Sequence, residues 1–69
     1  MKYKPGTKVT ITNVPERAKQ FGVREGMPAL VLEIDEKEAV AYCEDIGMTL
    51  VEIGTLKFWW KEDDLGRTQ

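Results

Sequence analysis

Apolar and polar positions alternate over short stretches of this chain, and the alternation is broken every few residues by turn formers. Over residues 7–12, Val9 and Ile11 fall on one side while Lys8, Thr10 and Thr12 fall on the other. That period of two predicts a half-buried strand. Breaks occur at Pro5 with Gly6, Asn13 to Pro15, Gly22, Gly26 with Pro28, Asp35 to Lys37, Asp45 to Gly47, and Gly54. Short apolar stretches between turn signals at this rhythm predict a small all-β sandwich or barrel.

One interval is longer and reads differently. Asn13 is a candidate helix cap, Glu16 stands three residues on to complete a capping box, and Pro15 suits the first turn. Arg17 to Phe21 extends that turn, and Gly22 suits a left-handed C-terminal position. A helix under two turns is not stable alone, so Ala18 and Phe21 are expected to pin it by packing. A second strand is predicted at 29–35, with Leu30, Leu32 and Ile34 on one face. The polar stretch 35–38 reads as a tight connection into a third strand at 39–44, the two forming a hairpin. Val40 and Tyr42 are expected to point inward there, opposite Ala39, Ala41 and Cys43. After a turn at 45–47 comes a fourth strand at 48–53, where Val51 and Ile53 share a face. Gly54-Thr55 turns again into a fifth strand at 56–61, and Leu65 is a last apolar anchor in a polar tail.

Five short strands with a long first connection predict a five-stranded SH3-like barrel, with one short helical turn in the first long loop and a single domain over 1–69. The OB-fold alternative generally needs longer strands and more residues. The opening Pro5-Gly6-Thr7-Lys8-Val9-Thr10-Ile11 and the closing Phe58-Trp59-Trp60-Lys61-Glu62-Asp63-Asp64-Leu65 resemble the first and last strands of small bacterial SH3-like domains, among them small proteins of Bacillus prophages. The resemblance covers most of the chain but rests on overall likeness. It implies a fold and a phage context, and it transfers no catalytic residue.

Composition narrows the chemistry. The chain has 69 residues, no His, no Ser, and Cys43 as its one thiol. Serine triads, Cys-His pairs and histidine zinc sites are therefore impossible within it. A domain of this size buries only about 60% of its unfolded surface, so an enclosed substrate cavity would hollow out its core. No phosphate-binding glycine loop is present. Glu62-Asp63-Asp64, with the acids of 33–38, lacks the spacing of a calcium loop. The expectation is a non-enzymatic protein with no cofactor and no metal. A single cysteine permits no internal disulfide, which favours a reducing, cytoplasmic location. No apolar run suggests a signal peptide or membrane span. Cys43, between Tyr42 and Glu44, reads as a packing residue.

Charge and aromatics identify candidate binding residues. Residues 1–31 carry Lys2, Lys4, Lys8, Arg17, Lys19 and Arg24 against Glu16 and Glu25, a balance of +4. Residues 32–69 carry −6, which restores the total of −2. In the tract Leu56-Lys57-Phe58-Trp59-Trp60-Lys61, alternation sends the two tryptophans to opposite faces. With Phe58 and Trp60 in the core, Trp59 faces solvent between Lys57 and Lys61; the competing expectation is that it lies flat under the 15–21 loop. An exposed indole between two ammonium groups suits a protein partner, host or phage, as one wall of a groove for an extended peptide. It also suits stacking on a nucleobase beside phosphate contacts. The predicted partner-binding set is Trp59, Lys57, Lys61, Arg17, Lys19 and Arg24. Classical proline-motif recognition is not implied, because the tryptophan pair sits in the last predicted strand and the early aromatic motif of peptide-binding SH3 domains is missing.

Overall fold

The computed structural model describes residues 3–68; Lys2, one of the early bases, lies outside the described residues. Its elements run in order as β1 (Lys8–Ile11), α1 (Glu16–Lys19), β2 (Pro28–Val31), α2 (Lys37–Ile46), β3 (Met48–Ile53), β4 (Leu56–Lys61), a 3₁₀ turn (Glu62–Asp64) and β5 (Leu65–Arg67). The five strands form one open antiparallel sheet in the order β4-β3-β2-β1-β5. The last strand thus returns beside the first, with Ile11 opposite Leu65.

Period-two alternation gives this sheet one apolar side. Val9 and Ile11 of β1, Ala29 and Val31 of β2, Val51 and Ile53 of β3, Trp60 of β4 and Leu65 of β5 are all buried in one cluster. Val14, Ala18 and Val23 from the first connection join them, as does Tyr3, whose hydroxyl donates to the Leu65 carbonyl oxygen at 3.1 Å. The β3–β4 hairpin is the longest ladder, running from Met48 opposite Lys61 to Ile53 opposite Leu56. Its two-residue turn needs a positive φ at the first central position. Gly54 supplies it, at +62°.

Several expectations are corrected. Residues 39–44 are not a strand but the middle of α2, so the predicted 35–38 hairpin turn is the start of that helix. The alternating reading failed because Ala39, Val40 and Cys43 also fit helical spacing. Glu, Lys and Ala favour helix across this segment, and Gly47, at φ +67°, closes it as a left-handed cap whose N–H meets the Cys43 and Glu44 carbonyls. Tyr42 accordingly points out, 64% exposed, while Cys43 is buried. Cys43 stands apart from the main cluster, and α2 packs chiefly on β3.

The fifth strand is instead β5, inside what reads as a polar tail. In the second strand the core takes Ala29 and Val31, leaving Leu30, Leu32 and Ile34 half-buried; that strand also ends at Val31 rather than at 35. At α1, Pro15 rather than Asn13 occupies the cap position and no side chain caps it. Asn13 donates instead from Nδ2 to Asp64 Oδ1 at 3.3 Å. Ala18 pins the helix as expected, and Phe21, although 58% exposed, packs edge-on against Phe58.

Candidate functional surface on strand β4

The two tryptophans part as alternation requires. Trp60 is fully buried and Trp59 is 42% exposed. Lys57 and Lys61 are exposed on the same face as Trp59. Across the ladder, Glu52 sits opposite Lys57, Leu50 opposite Trp59 and Met48 opposite Lys61, all three half-buried. Trp59 therefore stands beside the half-covered Met48 and Leu50, with Glu52 facing Lys57 at the end of the same row. Neither Lys57 nor Lys61 forms an ion pair among the described residues.

Arg17 is the residue of the first connection that reaches this strand. Its Nη2 donates to the Trp59 carbonyl oxygen at 2.8 Å. Its guanidinium carbon stands 5.8 Å from the centroid of the Trp60 ring, within the range of a cation–π contact. Phe21 meets Phe58 edge-on with ring centroids 5.6 Å apart, and Phe58 meets Trp60 in the same manner at 6.1 Å. The loop thus leans on the inward aromatics of β4. The Trp59 side chain keeps 42% of its surface exposed, so it is not buried beneath the loop.

Between the loop and the end of β4 runs a groove of about 320 Å³, lined by Asn13, Pro15, Arg17, Trp60, Lys61 and Asp64. Trp60 contributes a buried indole N–H with no hydrogen-bond partner among the described residues. Lys19 and Arg24 are drawn elsewhere. They line a separate cleft of about 420 Å³ with Asn13, Val14, Gly22, Val23 and Glu25, and Lys19 is engaged by Glu16 at 3.2 Å. The six predicted residues therefore divide: Trp59, Lys57, Lys61 and Arg17 gather on β4, while Lys19 and Arg24 belong to the loop's other side.

No family model, curated protein or solved structure matches the chain. What the surface can do rests on its own chemistry. Among the described residues no group of three or more Cys, Asp or Glu is placed to hold a metal ion, and no helix is long and apolar enough to cross a membrane. Burial pushes the Cys43 thiol above its ordinary value, which favours its neutral form. Sequence reasoning missed Asn13, Pro15 and Asp64 as groove residues. Their meeting depends on the 3₁₀ turn and β5, which no local pattern announced.

Proposed function

We propose that this chain is an SH3-like barrel domain acting as a non-enzymatic protein-interaction module, which engages a host or phage protein through the outer face of β4. The observation that carries the reading is the exposed Trp59 between two unpaired ammonium groups, next to a tryptophan that the core fully consumes. Exposed tryptophan is costly to solvate and is enriched at binding hot spots. Lys57, Lys61 and Arg17 add donors around it that suit carbonyl and carboxylate groups. Five short strands, a long first connection and the return of β5 to β1 support the barrel reading, and the likeness to prophage domains supplies the phage or host partner.

Nucleic acid is the second reading, favoured by the same indole among Lys57, Lys61 and Arg17. The acidic total of −2 weighs against it. The test is retention of binding partners from a bacterial lysate, split into nuclease-treated and untreated halves, on immobilised wild type and Trp59→Ala. A protein that survives nuclease and is lost with the substitution supports the module. Recovery that collapses after nuclease and falls steeply with salt transfers the assignment to nucleic acid. Equal retention by both proteins refutes a role for this face.

A further inference from the structure

Strand β4 ends the sheet order, so among the described residues one of its edges has no neighbouring strand, and the direction of its backbone groups follows from two hydrogen bonds. Leu32 N–H donates to the Leu50 carbonyl at 2.9 Å, so the main chain of Leu50 turns toward β2. Residues directly opposite in an antiparallel ladder either bond to each other or both turn away. Trp59, the direct partner of Leu50, must therefore turn its N–H and C=O out of the sheet. Arg17 meets that carbonyl from outside at 2.8 Å, which agrees. Lys57 and Lys61, two positions to either side, share the orientation of Trp59. The same three residues whose side chains form the exposed face also present their N–H groups at the open edge.

We infer that β4 receives an acidic, extended segment of a partner protein as an added antiparallel strand. This rests on the interaction-module reading and specifies its partner. Strand addition takes affinity from main-chain hydrogen bonds and specificity from alternate side chains. The residues opposite Lys57, Trp59 and Lys61 project onto the lysine-bearing face, so the complementary pattern is acid, any, β-branched, any, acid. Opposite charges directly across a ladder stabilise it and like charges destabilise it.

A second copy of this chain is the poorer occupant for that reason. The register centred on Trp59 has the longest overlap, and it places Lys57 of each copy against Lys61 of the other. Arg17 guards the edge in the free protein by holding the one carbonyl at its centre, a recognised way to blunt an exposed strand. An incoming amide replaces the guanidinium, which is then free to meet a carboxylate of the partner.

The test uses the whole chain with three synthetic peptides, read by backbone amide exchange at Lys57 and Trp59. The first is acetyl-Thr-Glu-Thr-Val-Thr-Glu-Thr-amide; the second has Lys for both Glu; the third is the first with N-methyl groups on the Glu and Val nitrogens. At about ten times its Kd, the acidic peptide should slow exchange at both amides about tenfold, and the other two should not. The double variant Lys57→Glu with Lys61→Glu, exposed on both counts and so expected to fold, should lose the acidic peptide and gain the lysine one.

Equal binding of the N-methylated peptide overturns strand addition, and equal binding of the lysine peptide overturns the acidic partner. Slowing that grows with protein concentration alone makes a second copy the occupant and also overturns the inference. If no peptide acts but Trp59→Ala still loses its lysate partner, the inference falls and the interaction module stands. If neither effect is seen, both fall.

Discussion

Trp59 and Trp60 are chemically identical neighbours on one strand, and the sheet sends them to opposite faces. Trp60 lies at the centre of the core, fully buried, touching Phe58 on one side and the Arg17 guanidinium on the other. Trp59 projects from the far face of β4, where Arg17 also meets its backbone carbonyl. Trp59 keeps 42% of its surface in solvent, so truncating it removes much less buried area than truncating Trp60. A single residue step separates the core side chain from the exposed one, because a strand turns its side chains by half a revolution per residue, and the proposed binding role falls to the exposed one.

The comparison breaks most violently at Trp60. Trp60→Ala should cost about 3–5 kcal/mol, about as much as a core of this size supplies in total, so the variant should be unfolded by circular dichroism in the absence of denaturant. Trp60→Phe should be much milder, since the indole N–H it deletes has no partner to lose. At Trp59 the consequence moves from folding to binding. Trp59→Ala should weaken partner binding by about 2 kcal/mol, as hot-spot truncations do, and lower stability by about 1 kcal/mol through the lost cross-strand contact with Leu50, in a urea titration.

Changes that touch neither face of β4 give a useful reference. Gly47→Ala places a side chain at φ +67° with open space around it, so its cost is conformational, about 1–2 kcal/mol, and should appear in the urea midpoint without altering binding. The smallest effect is expected at Cys43, whose thiol burial pushes above its ordinary value. The unfolded chain ionises this group at lower pH than the folded one, so its contribution is complete below the unfolded value and is lost as pH rises toward the folded value. Urea midpoints at about pH 7 and about pH 10 should differ more for the wild type than for Cys43→Ala.

Much of this arrangement was legible in the sequence where one signal acted alone. Alternation in Val9 and Ile11, in Val51 and Ile53, and in the Phe58-Trp59-Trp60 tract placed each of these residues on its observed face. Legibility failed where two periods fitted the same letters. Residues 37–46 contain enough apolar positions for a strand and enough helix formers for a helix, and Gly47 was the deciding residue. It also failed where no local pattern exists: Leu65 was recognised as an anchor, but Leu65–Arg67 becomes a strand only because β1 lies beside it. For the same reason the convergence of Lys57, Trp59, Lys61 and Arg17 was only partly foreseeable. The first three follow from alternation, whereas Arg17 parts from Lys19 and Arg24 through the packing of a loop.

The most direct test of this division of duties is partner retention by Trp59→Ala, measured on protein whose circular dichroism is native under the same conditions. A native spectrum together with lost retention is the expected result. A native spectrum with retention equal to wild type, or a spectrum showing that Trp59→Ala has unfolded, would contradict it.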